Sequence, residues 1–338
     1  MTLDKSNLRR VILDEASQFE EGFKIAENIS AQGSFDRIMV SGMGGSALPS
    51  NILRIYLNDV FAQDKSYKKI GVFQNRFYTL PPEAYNNCLN LICSHSGNTE
   101  ETIASFQEAL DHNLPCIGIS SGGVIEKMCK NNKIPHVKLP IPYKNFQPRM
   151  ATGHFIGVLI QILINQRMIS DCRSDIIRSA KKLHTNIPKF EKRGKILAKK
   201  VVGQTPVIYA STHFKALAMI WKIKINENSK TPAFWNYFPE LNHNEFVGYT
   251  NPQGKFHVIM LRDDSDHERN LKRYDVAKKI LEDNNVEVDI ISMPKGHLFY
   301  RIFATLVLGD WMSYYLALEY KQDPTPVDWV EDFKKELK

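Results

Sequence analysis

Apolar residues along the 338-residue chain fall into short unbroken runs separated by longer stretches of helical period, the signature of alternating strands and helices. Residues 8–29 predict an amphipathic helix closed by Gly33-Ser34. Residues 37–41 (RIMVS), 89–93 (LNLIC) and 116–120 (CIGIS) predict buried strands, each followed by a Gly- or Ser-bearing turn and a further helix. Residues 137–140 lead into a proline-rich loop, IPYKNFQPRMATG, and 153–166 predict the helix that closes this first unit. A long charged helix, or a pair, at 171–200 opens the second. Strands follow at 207–210, 256–261 and 286–291, with a helix at 270–284, a strongly apolar helix at 298–318 and a short lysine-rich helix at the end. Strand and helix alternate in both halves, which predicts an α/β protein of two parallel-sheet domains related by duplication, 1–168 and 169–338.

One stretch fits neither period. Residues 225–248, INENSKTPAFWNYFPELNHNEFVG, gather Glu227, Lys230, Glu240, His243 and Glu245 among asparagines, prolines and aromatic residues. The preceding helix is expected to end near Glu227, with Pro232 and Pro239 holding the residues after it as loop. Ionisable groups on a fixed loop beside aromatic rings are the conditions that shift a carboxylate pKa. An irregular surface loop with solvated charges accounts for this stretch alone equally well.

Two turns upstream favour a ligand. Gly42-Met-Gly-Gly-Ser-Ala47 lies between a strand and a helix, the layout in which backbone N–H groups meet an anion at the helix's positive end. Ala47 and Leu48 rule out both the dinucleotide fingerprint and the P-loop. After the next strand, Ser94-His-Ser-Gly-Asn-Thr-Glu-Glu-Thr102 brings three hydroxyls to a second helix start. Hydroxyls without a lysine suit a phosphomonoester better than a nucleoside triphosphate. One such turn is equally an N-cap, with Thr99 capping; two, at the carboxyl ends of parallel strands, point to a binding edge. Arg149, between a proline and an apolar helix, is expected to face inward. The turn Ser211-Thr-His213 lacks the double glycine and is not expected to hold phosphate.

Composition narrows the partners. A net charge of +7 and a pI near 9.0 come from scattered lysines and arginines, which argues against nucleic acid and for a small anionic metabolite. The five cysteines, Cys88, Cys93, Cys116, Cys129 and Cys172, form no CxxC pair, which points away from zinc or a disulfide framework and towards a reducing compartment. The first residues carry no apolar core of a signal peptide, and the longest apolar run, 155–164, is too short to span a bilayer. A cytoplasmic protein without membrane contact is expected. The ten histidines are dispersed, so neither a metal site nor a redox cofactor is expected.

The motifs GMGGS and ICSHSGNTEET resemble the phosphosugar turns of the sugar isomerase (SIS) fold. The later segments NENSK, PELNHNE, LVLGDWMSYYLAL and DPTPV resemble the bifunctional phosphoglucose/phosphomannose isomerase family, in order and over nearly the whole chain. The SGNTEET turn is shared by many phosphosugar proteins; NEN with PELNHNE is far more restrictive. The resemblance implies that Gly45, Ser46, Ser94, Ser96 and Thr99 hold the substrate phosphate and that Glu227 is the catalytic base. It places Arg149 near C1–C2 of the sugar and makes His243 the ring-opening histidine, supplied in such enzymes by the neighbouring subunit. Lys334 matches the C-terminal lysine, with Lys335 and Lys338 close to the same register. It also implies a homodimer with shared active sites. His95, and Pro49-Ser-Asn51 where a Gly-Asp pair is common, depart from the family pattern; the second departure puts the helix start in question.

Aldose–ketose isomerisation of hexose 6-phosphates moves a proton between C2 and C1 through a cis-enediolate. It needs a base, a cation or donor at the oxyanion and a ring-opening acid/base. Two other readings use the same turns: a non-catalytic phosphosugar-binding regulator and an aminosugar-phosphate isomerase. The regulator would not need Glu227, His243 and Arg149 together. The small residues of Thr325-Pro-Val327 are expected to leave room for both epimers.

Overall fold

In the computed structural model, which describes residues 3–64 and 69–337, the chain forms two compact units. One is 14–181; the other is 182–338 together with 1–13. The division thus lies at 181/182, inside a helix, and the first residues group with the second half.

Two short helices, α1 (Leu8–Asp14) and α2 (Gln18–Ile25), stand where one was expected, separated by the 3-10 turn Glu15–Ser17. Ser17 Oγ donates to the Asp14 carbonyl at 2.9 Å, a local bond that competes with a continuous helix. Next come β1 (Arg37–Ser41), α3 (Gly44–Gln63), β2 (Gly71–Asn75), β3 (Cys88–Cys93), α4 (Glu100–Asp111), β4 (Cys116–Ser120), α5 (Gly123–Asn132), β5 (His136–Lys138) and α6 (Thr152–Asn165). All five strands pair in parallel, in the order β2-β1-β3-β4-β5. Every residue of β3 and β4 is buried, which is why these strands read as unbroken apolar runs. β2 (GVFQN) occupies an edge, only partly buried, and its mixed composition carries no strand signal. Met39, Ile92, Phe106, Ile125 and Cys129 belong to the core on one face of this sheet.

A single helix, α7 (Arg173–Val201), passes from one unit to the other. It is followed by β6 (Thr205–Ser211), α8 (Lys215–Ser229), β7 (Phe234–Phe238), β8 (Phe256–Arg262), α9 (Glu268–Asp283), β9 (Glu287–Ser292), α10 (Leu298–Glu319) and α11 (Asp328–Glu336). The second sheet is also parallel throughout, in the order β7-β6-β8-β9. Val207, Tyr209, Phe238, Val258, Met260 and Tyr274 lie in its core.

The aperiodic stretch is more ordered than a loop. α8 runs past Glu227 to Ser229 and stops where Lys230 turns left-handed, at φ 55°. The Lys230 ammonium donates to the carbonyls of Glu227 (2.8 Å) and Asn228 (3.2 Å), satisfying two helix-end acceptors. Between the two prolines, Phe-Trp-Asn-Tyr-Phe forms β7 along the edge of β6. Of its five residues only Phe238 is buried, so neither an unbroken core run nor a one-faced alternation marks it in the sequence. Most residues of α10 are buried within the chain itself, so the apolarity of this helix is accounted for by core packing. No helix among the described residues is long and apolar enough to cross a membrane.

Candidate phosphosugar site

β1, β3 and β4 end at one edge of the first sheet, and the turns beyond them are tied together. The hydroxyl of Ser46, in the first turn of α3, accepts from the His95 N–H at 2.9 Å. Ser94 Oγ accepts from the Gly97 N–H at 3.1 Å and lies 2.8 Å from Thr99 Oγ1. Ser96 Oγ accepts from the Asn98 N–H at 3.2 Å. His95 O accepts from both the N–H and the hydroxyl of Ser121, at 2.9 and 2.6 Å, linking the turn after β3 to that after β4. Gly97 permits the closest approach: its φ is +70°, and a Cβ there would lie 1.8 Å from Gly122 O.

Thr99 occupies the N-cap of α4 without a side-chain cap bond. Its hydroxyl turns to Ser94 instead. The start of α4 thereby retains N–H groups and positive dipole for an anion. Ser46 and Ser94 are buried while Ser96 is exposed and Thr99 half-buried, so the four hydroxyls grade from floor to rim.

Arg149 belongs to the same unit and is 1% exposed, held inward on the 3-10 turn Pro148–Met150. Gly45 brings α3 against it: a Cβ at Gly45 would sit 2.5 Å from Arg149 N and 2.6 Å from Pro148 C. Any other residue would push the start of α3 away from the arginine turn. Pro49 lies within α3, which begins at Gly44; the helix start that Pro49-Ser-Asn51 put in question is formed. His95 is buried, its ring 5.6 Å from that of Phe146. Burial and then neighbouring His154 push its pKa down to about 4, so the imidazole beside the turn is neutral.

The other unit carries Glu227, His243, Lys334 and Thr325. Glu227 is half-buried, in the last turn of α8. His243 ends the 3-10 helix Glu240–His243 and is exposed. Its loop is anchored by Glu245, whose carboxylate accepts from the Tyr209 hydroxyl and from Asn236 Nδ2, on β6 and β7. The Tyr209 and Tyr249 hydroxyls are 2.8 Å apart. Burial above all raises both phenols, Tyr249 up to about 12, so both remain neutral donors. The sequence marks Glu245 as one of several loop charges; its anchoring role depends on residues of two strands. Lys334 is exposed on α11 and ion-paired with Glu331 at 2.7 Å, as Lys335 is with Asp332 at 2.8 Å. Lys338 lies outside the described residues. Thr325 is 3% exposed, and its N–H donates to Asp323 Oδ1 at 3.1 Å.

Among the described residues no three His, Cys, Asp or Glu side chains cluster as metal ligands, and the five cysteines are buried and unpaired. Residues 190–337 match the bacterial phospho-glucose isomerase C-terminal SIS domain. A bifunctional phosphoglucose/phosphomannose isomerase of Caldicellulosiruptor bescii is 34% identical over 335 residues, covering 95% of this chain and 96% of its own. That of Aquifex aeolicus is 33% identical, covering 94% and 99%. In fold, a hypothetical protein from Thermus thermophilus superposes with a TM-score of 0.73 at 13% identity, over 98% of this chain and 90% of its own. Identity at this level over nearly the whole of both chains makes the chain a member of the bifunctional phosphoglucose/phosphomannose isomerase family.

Proposed function

We propose that the protein is a phosphosugar isomerase that interconverts glucose 6-phosphate and mannose 6-phosphate with fructose 6-phosphate. The observation that carries this reading is the hydroxyl-lined edge of the first sheet. Ser46, Ser94, Ser96 and Thr99 line two helix starts, with no lysine among them and with Gly45 packed on the Arg149 turn. That chemistry holds a phosphomonoester and fixes the sugar carbons relative to it.

In the proposed mechanism His243 and Lys334 open the pyranose ring by moving the proton between the ring oxygen and the C1 hydroxyl. Glu227 removes the proton at C2 and returns it at C1, while the O2 proton passes to O1. Arg149, a permanent cation, stabilises the negative charge that develops on oxygen in the cis-enediolate. The enzyme acts as a homodimer, with His243 reaching the site of the partner subunit. C2 is planar in the intermediate, so one base serves both epimers if the intermediate turns about C2–C3 while its phosphate stays anchored. In this mechanism the small side chain of Thr325 lies beside C3 and leaves the space for that turn.

The deciding experiment is a coupled assay offering glucose 6-phosphate and mannose 6-phosphate separately, before and after exhaustive EDTA dialysis. Both substrates should yield fructose 6-phosphate, with undiminished activity after dialysis. Inactivity on both would refute isomerase function. Activity on glucose 6-phosphate alone would refute dual specificity, and activity restored only by Zn²⁺ would refute the metal-free mechanism.

A further inference from the structure

Helix α8, which carries Glu227, is fastened to α10 by polar contacts set into an apolar seam. Trp221 Nε1 donates to the Thr305 carbonyl at 2.9 Å. Lys224 Nζ lies 2.6 Å from Asp310 Oδ1. Asn228 Nδ2 donates to Ser313 Oγ at 2.9 Å, and Ser229 Oγ to Ser313 O at 2.8 Å. Positions 221, 224 and 228 fall on one face of α8. Their partners ascend in the same order along α10, so the two helices run in the same direction. Gly309 lets them come close, since a Cβ there would lie 2.7 Å from the Trp221 ring.

The lysine and aspartate side chains are 3% and 0% exposed. Removing both charges from water is costly, and an apolar pair of similar volume is often at least as stable. Stability alone therefore gives little reason for an ion pair here. Leu217, Ile220 and Ile225 of α8 are buried as well, and apolar packing of this kind is non-directional and tolerates small slips. A slip of one residue would rotate α8 by about 100° and shift it about 1.5 Å. A charge pair deep in the seam is satisfied in one register only.

We infer that Lys224 and Asp310 are a positioning pair: they fix the rotation and height of α8 and so set where Glu227, three residues after Lys224, presents its carboxylate. Neither residue contacts the substrate in the proposed mechanism. The inference rests on Glu227 being the base, and the test separates the two.

The apolar double variant K224M/D310L should unfold cooperatively, with a midpoint at or above that of the wild type. Its kcat should fall at least about fivefold with KM for fructose 6-phosphate within about twofold. The neutral polar pair K224Q/D310N, whose amides offer a directional hydrogen bond in place of the charges, should retain at least about a third of kcat. A purely structural pair would move the unfolding midpoint and leave kcat alone, so a smaller loss in K224M/D310L overturns the inference. If that variant does not fold, D310E, which keeps the charges but lengthens one arm, should show the same split of kcat from KM; an unchanged kcat overturns it. If the wild type isomerises nothing, or E227Q is fully active, the function reading fails. Crystal structures then decide on positioning: in K224M/D310L, or in D310E if that is the variant that folds, Glu227 Cα should move by more than about 0.5 Å against the sheet of its own unit. A smaller displacement overturns it.

Discussion

Burial beside Phe146 and His154 depresses His95 to about pKa 4, whereas the same side chain in an unfolded chain titrates near pH 6.5. Between those values the unfolded state binds the extra proton. The stabilisation from neutral His95 is therefore complete above pH 6.5 and is lost as the pH falls towards 4. Replacing His95 with Phe should remove this dependence. In urea unfolding, wild type should lose about 2 kcal/mol more than H95F between pH 7 and pH 5. Equal losses would show that His95 does not set the acid limb. At Glu227 the expectation concerns chemistry. Glu227→Gln keeps the side chain's shape and much of its hydrogen bonding, but the amide accepts no proton from C2. Its kcat should drop at least about 10²-fold while phosphosugar binding survives. Near-normal deuterium incorporation from solvent at C2 would sink the assignment.

At the scale of elements, serines grouped together by sequence motif sit in different surroundings. Ser94 is buried and bonded within its turn, to the Gly97 N–H and beside Thr99, whereas Ser96 is exposed. Ser96→Ala should raise KM by the loss of a charge-assisted bond, about 1.5–3 kcal/mol, with the unfolding midpoint unchanged. Ser94→Ala should raise KM and lower the midpoint together; the same pattern in both variants would contradict the division of roles. Legibility in the sequence tracks burial. The strands around LNLIC and CIGIS read clearly because a parallel strand covered on both faces is apolar throughout. β2 and β7, at sheet edges, carry mixed side chains and were not legible; the two prolines flanking β7 made it look like loop. Turns were legible because glycine and serine are required locally. The seam between α8 and α10 was not, because Lys224 on its own looks like a surface lysine, and only the fold brings Asp310 to it.

At the scale of the whole molecule, the candidate residues divide between units. The phosphate turns and Arg149 belong to 14–181, while Glu227 and His243 belong to the unit formed by 182–338 with 1–13. His243 is exposed on a loop that Glu245 ties to β6 and β7, and the proposed mechanism has it reach into another subunit's site. A homodimer sharing its sites in this way makes a prediction that a self-contained subunit does not. Glu227→Gln and His243→Ala each disable one partner of the pair, and each variant alone should be nearly inactive. Let the two be mixed, dissociated and reassociated at random. Half of the dimers then contain one chain of each kind. In such a dimer one site combines the intact Glu227 of one chain with the intact His243 of the other, while the second site lacks both. Activity should therefore recover to roughly a quarter of the wild-type value per chain. If His243 serves the site of its own chain, every site in the mixture carries one defect and no activity returns. A tagged-subunit pull-down run alongside shows whether mixed dimers formed, so a null result in their presence would overturn the shared site.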